Sequence, residues 1–227
     1  MHIEPGVVNG AKLALSYATA AGAGVWTAKL AWETLKTTRI PGFAARVAAS
    51  TLAVFFFFEV LPKFPVGVSE VHFILGSTLF LLFGAAPAAL GLMLGLLAQG
   101  MLFAPADLPQ YFMNVTTLLV PLFAISALAK RIIAPGTPYV DLSYVQALKL
   151  STTYQAGVVA WVGFWALYGS GFGAENLAAI ASFGAAYMLV ILIEPLADLA
   201  VLAAAKAGRD ISRSALFHPH LHDGHSA

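Results

Sequence analysis

The sequence predicts an all-α membrane protein, a polytopic bundle of about seven transmembrane helices with the N-terminus outside and the C-terminus in the cytoplasm. Three observations predict it. Of 227 residues, 59% are hydrophobic and only 10% are charged, against about 25% charged in an ordinary soluble domain. Mean hydropathy is +0.82. The apolar sequence also divides into segments of the right length, since roughly 20 residues are needed to cross a bilayer. One domain is expected over residues 1–214, followed by a His-rich cytoplasmic tail, 215–227, that the composition predicts to be disordered.

The first span, 12–35, is rich in Ala, Gly, Ser and Thr. That composition suits a helix packed tightly against other helices rather than one facing lipid. The second, 42–61, ends in Phe55-Phe-Phe-Phe58-Glu59, which places a carboxylate near the outer end, either among headgroups or close to a pocket. The third, 71–84, is short for a full crossing, and Gly84-Ala-Ala-Pro87 is the turn before the fourth, 87–103. The fifth and sixth cover 111–133 and 144–167. The last, 176–204, is interrupted by Glu194-Pro195, where proline frees a carbonyl and is expected to kink the helix. Asp198 shares a face with Glu194 at four residues' spacing, directed at the bundle or at a partner subunit.

Loop charge sets the orientation. Lys29, Lys36, Arg39 and Arg46, then Lys130, Arg131 and Lys149, then Lys206, Arg209 and Arg213 fall on one side if the crossings number seven. That is ten of the twelve basic residues, and the positive-inside rule makes their side cytoplasmic. Lys12 and Lys63 fall on the other. The absence of Cys excludes disulfides, thiolate zinc sites and Fe–S clusters. Met1 to Gly10 carries no Lys or Arg, so no cleavable signal peptide is expected. A net charge of +1 without a basic stripe gives no sign of a nucleic-acid partner. No Gly-x-x-x-x-Gly-Lys-Ser/Thr loop is present, so the chain has no P-loop of its own for ATP hydrolysis.

The chain opens Met1-His2-Ile3. A His in second place can chelate a metal with the Met1 α-amine, the His2 backbone nitrogen and the His2 imidazole, in fused five- and six-membered rings. Such nitrogen-only rings favour a square-planar ion: Ni(II), Cu(II) or low-spin Co(II). Of six histidines, four (His218, His220, His222 and His225) crowd the tail, where they form either a metal-scavenging segment or an ordinary chain end. His72, at the outer start of the third span, is the other membrane histidine. It is either an interfacial residue or a functional one, because ionisable groups are expensive to bury in a membrane. On a helix, Gly76 would share its face and let an inserted N-terminal segment approach.

These residues resemble the CbiM/NikM family, the substrate-binding components of energy-coupling factor transporters for cobalt and nickel. The likeness rests on Met1-His2-Ile3 with its acidic and glycine-containing start, on His72-x-x-x-Gly76-Ser77-Thr78, on the Pro-rich loop and on Tyr111-Phe-Met-Asn114-Val-Thr-Thr. It extends over residues 1–128, with general hydropathy beyond. The resemblance implies a bundle whose additional N-terminal helix plugs its tip into the pocket, and a metal held by the Met1 amine, the His2 amide nitrogen and imidazole, and His72. Ser69, Glu70, Ser77 and Asn114 are then candidates to support the His72 ring. The family often begins Met-His-Ile-x-Glu-Gly; here Glu4-Pro5-Gly6 shifts acid and spacer, so the tip is expected to enter at a different angle. Implied partners are a coupling membrane subunit, ABC-type ATPases and a small accessory membrane subunit in a bacterial inner membrane. The cargo is Ni(II) or Co(II), with no prosthetic group and no enzymatic activity. The alternative is a haem-binding electron-transfer subunit with His2 and His72 as axial ligands.

Overall fold

The computed structural model describes residues 3–212. Among them are seven α-helices: α1 (Leu13–Leu35), α2 (Ile40–Glu59), α3 (Gly76–Phe83), α4 (Ala85–Leu102), α5 (Tyr111–Ile132), α6 (Tyr144–Ser170) and α7 (Ala174–Ser212). Six of them match the expected spans to within a few residues, except that α7 runs on well past its expected end. Four segments, carrying α2, α4, α5 and α7, are long and apolar enough to cross a membrane by length and composition.

The third segment differs. Residues 71–84 are not one helix: His72 ends a β-hairpin, β1 (Lys63–Val66) paired antiparallel with β2 (Ser69–His72). The local cause is Val66-Gly67-Val68-Ser69. Gly67 takes φ +61° between facing Val66 and Ser69, the first central position of a two-residue hairpin turn, which glycine occupies without steric cost. Its missing side chain also admits the Ala179 carbonyl of α7. The eight residues of α3 span only about 12 Å. Beneath α3 a cleft of about 460 Å³ opens, lined by Phe80, Gly84, Lys130, Ile133, Tyr139 and Leu142 among others.

Helix α1 also departs from expectation. It buries only Ser16, Ala20, Ala23 and Thr27, a single stripe of small residues on one face. Val25 and Trp32 on other faces are 73% and 67% exposed. Small residues therefore seat one side of α1, and its aromatic side is left outward. The closest helix pairing is α2 with α4. Ser50 and Val54 settle onto Gly91 and Gly95, where an added Cβ would strike them, the close approach that small residues at four-residue spacing permit within lipid.

Helix α6 starts with a capping box in which Ser143 and Gln146 satisfy each other's backbone N–H groups. Helix α7 continues through Pro195 without a break. Both lysines on the sparsely charged side are tied down: Lys63 pairs with Glu59 at 3.2 Å, and Lys12 donates to the Gly169 carbonyl at 2.7 Å. At the basic end Arg209 of α7 pairs with Asp141.

Candidate metal centre

The N-terminal segment does not hang free of the bundle. Ile3 bridges antiparallel to Ser69, and Glu4 N–H donates to the Val68 carbonyl at 3.1 Å. The chain start thus adds to the second edge of β2, using backbone groups a two-stranded hairpin leaves open. Ile3 N–H donates to Asn114 Oδ1 of α5 at 2.9 Å, in a buried setting. The Ile3 side chain is 1% exposed and packs in a small cluster with Val8, Met113 and Trp165. Further along, the Val7 carbonyl lies so close to Gly169 that no Cβ fits there, and it accepts from Ser170 Oγ at 3.3 Å.

His72 lies at the far end of the same strand, 2% exposed. Its ring stands edge-on to Phe58, with centroids 4.7 Å apart and planes at 76°. Its Nδ1 is 3.2 Å from the Phe73 carbonyl. Three residues separate Ser69 from His72, about 10 Å along an extended strand. On its α7 side His72 lines an apolar cleft of about 340 Å³ with Val71, Phe73, Leu189 and Val190 among others.

Met1 and His2 lie outside the described residues, as do His218, His220, His222 and His225. The structure gathers Ile3, Ser69, Asn114 and His72 at one end of the bundle. Glu70 sits in β2 opposite Pro65. Ser77 is turned elsewhere: its hydroxyl donates to Asp198. Gly76 does not share a helical face with His72, since one begins α3 and the other ends β2. Its missing side chain makes room for the Tyr154 ring rather than for the N-terminal segment; Gly169 does that. Among the described residues, no three His, Cys, Asp or Glu side chains converge where a metal could sit.

Two acids of α7 face the bundle. Glu194, 0% exposed, accepts from the backbone N–H groups of Ile74 and Leu75 and from Gln155 Nε2. Asp198 accepts from the Ser77 and Thr78 hydroxyls. Together they satisfy donors at the start of α3, which no local side chain caps. Glu194 and Asp198 are legible in the sequence as acids in an apolar span, but α3 as their target is not.

Near the chain start, Glu4 has its carboxyl raised above the usual range, first by burial and then by the neighbouring charges of Glu70 and Asp107. At the basic end burial, with the Asp198 charge behind it, pushes the Tyr139 hydroxyl up to about 12.

A helix bundle with four spans long and apolar enough to cross a membrane, and with its described chain start built onto the edge of a hairpin beside a buried histidine, defines the class of protein: a multi-pass membrane protein. A family profile described as the cobalt uptake substrate-specific transmembrane region matches residues 2–210. The chain belongs to this CbiM family, and the likeness reaches well past residue 128. It is a multi-pass membrane protein of metal uptake. A solved structure of a transition metal transporter is similar over 100% of both chains, with 14% identity and a TM-score of 0.65. A second, of a truncated transition metal transporter, matches with 15% identity and a TM-score of 0.59, covering 96% of this chain and 100% of the other. At these identities the likeness shows the shared fold. No curated protein matches the chain.

Proposed function

We propose that this chain captures Co(II) or Ni(II) at the outer face of a bacterial inner membrane. The metal is held by the Met1 amine, the His2 backbone nitrogen, the His2 imidazole and His72. The observation that supports this reading is the docking of Ile3: its antiparallel bridge is to Ser69, in the same strand that ends at His72. A chelate formed from the chain start also suits a bundle in which no cluster of three ligating side chains exists among the described residues. Four nitrogens in a plane replace the water that a hydrated ion sheds, and they favour d-block ions that accept square-planar geometry.

Asn114 supports the site by fixing Ile3, and Ser69 by pairing with it. Glu70 and Ser77 are the remaining supporting residues: Glu70 through its charge two residues before His72, and Ser77 by holding the α3 start against Asp198. Transport needs a coupling membrane subunit and ABC-type ATPases, with a small accessory membrane subunit as a further partner. Membership of a cobalt-uptake family leaves the haem reading without support.

The test is the free amine. One residue added before Met1 should abolish tight metal binding and leave helix content intact, whereas a C-terminal tag should not. Equal metal content in the two tagged proteins rejects the site. His72→Ala should weaken binding without eliminating it, because three nitrogens of one short segment remain, and His2→Ala should be more damaging.

A further inference from the structure

We propose that Glu194 is a positioning residue: from α7 it fixes the His72 imidazole by holding the peptide bend that follows it. The significance of that position for metal capture rests on the function proposed above; the positioning itself does not.

The bend is Phe73-Ile74-Leu75. Phe73 supplies the carbonyl beside His72 Nδ1. Ile74 and Leu75 present their N–H groups, one after the other, to the two oxygens of Glu194. Leu75 takes φ +51°, ψ +34°, and is the single non-glycine residue with positive φ among the described residues. A left-handed conformation is disfavoured for an L-residue with a Cβ, so the bend does not hold itself. The carboxylate is what opposes its relaxation. Among the described residues Glu194 has no Lys or Arg partner; the hydrogen bonds it accepts come from two backbone amides and the Gln155 side chain.

Its own position is over-determined. Gln155 Nε2 donates to Glu194, while Gln155 Oε1 accepts from the Tyr187 hydroxyl at 2.7 Å. Tyr187, Gln155 and Glu194 are all 0% exposed. One turn further along α7, Asp198 grips Ser77 and Thr78, so α3 cannot slide relative to α7. His72 is therefore followed by a bend in which two residues, Ile74 and Leu75, donate their N–H groups to that helix.

Metal-free protein labelled with ¹⁵N-histidine decides the matter. The His72 ring signals are assigned by their loss in His72→Ala. Glu194→Ala should move them toward the averaged positions of an unconstrained imidazole. Glu194→Gln, which keeps an acceptor, should move them part of the way. Tyr187→Phe, which releases Gln155 without touching the carboxylate, should shift them in the same direction by less and covers the case in which Glu194→Ala does not fold. Unchanged His72 signals in folded Glu194→Gln and Tyr187→Phe proteins would overturn the proposal.

Nickel affinity forms the second arm. Glu194→Ala should bind roughly tenfold or more weakly, by analogy with other residues that orient metal ligands, and approach His72→Ala. If the ring signals move in Glu194→Ala while His72→Ala binds nickel like the parent, the positioning stands and the metal site proposed above is what fails.

Discussion

At the scale of single residues, the chain start is held by few bonds, and each has a measurable weight. Asn114→Leu leaves the Ile3 N–H buried without its acceptor, a loss worth about 1–3 kcal/mol. We expect faster amide exchange at Ile3 and Glu4 with little change in the bundle; unaltered exchange at these amides would reject the anchoring role. Glu4 gives a pH dependence of definite sign. Its folded pKa is raised, so the folded state prefers the protonated carboxyl. The stabilisation is present below the ordinary glutamate range, near about 4.3, and is lost as pH rises through the raised folded value. Docking of residues 3–8 should loosen over that window, as read by exchange of the Val7 amide. Glu4→Gln should remove the dependence and dock more firmly at neutral pH.

Among the elements, the helices were legible because length and hydropathy are properties of long segments. The end of α1 at Leu35, the start of α6 at Tyr144 and nearly the whole of α5 fall where hydropathy and length place them. The hairpin was harder. Residues 71–84 are apolar throughout, and hydropathy does not distinguish a strand followed by a short helix from one span. The Val66-Gly67-Val68 turn was the available signal, but its force depends on knowing that β2 has a partner on its far edge. That partner is the chain start, more than sixty residues away. For the same reason His72 was identified as a candidate but placed on the wrong kind of element. Glu194 and Asp198 stood out as acids in an apolar span, whereas their partners lie about 120 residues distant and no spacing rule reaches that far. Glycine contacts offer a test at this scale. Gly169→Ala should expel the Val7 carbonyl and free the N-terminal segment while α6 persists. Gly91→Ala should instead disturb the α2–α4 seam, at a cost of about 1–3 kcal/mol, with the N-terminal segment still docked. Similar exchange patterns in the two variants would contradict this division of labour.

For the whole molecule, the division of charge matches the division of work. The sparsely charged end carries His72 and the docked segment, and its two lysines are engaged by Glu59 and the Gly169 carbonyl. The opposite end carries the basic loops, the Arg209–Asp141 pair and the cleft beneath α3. The donors proposed above bind metal only as a neutral amine and imidazole and a deprotonated amide, so binding should weaken on acidification. This is opposite in sign to the Glu4 effect on docking. Titration of the intact protein with nickel across pH 5 to 8 (about the range over which both donors deprotonate) should therefore show affinity rising with pH. A flat profile would argue against amine and imidazole donors. Replacing His218, His220, His222 and His225 together should alter uptake only modestly, because by the charge rule the tail lies at the other face.

The docking of residues 3–8 also dictates a sequence of events in time. This segment is synthesised before every residue it rests on: Ser69, Asn114 and Gly169 all follow it, and its hydrogen bonds to Asn114 and Ser170 span 111 and 163 residues. It can reach its place only after α6 has entered the membrane, so its docking is a late step of biogenesis. A chain stopped after α5 should insert its helices but leave the Val7 amide in rapid exchange. For the chelate proposed above, undocking of residues 3–8 would be enough to free the ion, with the helices staying folded.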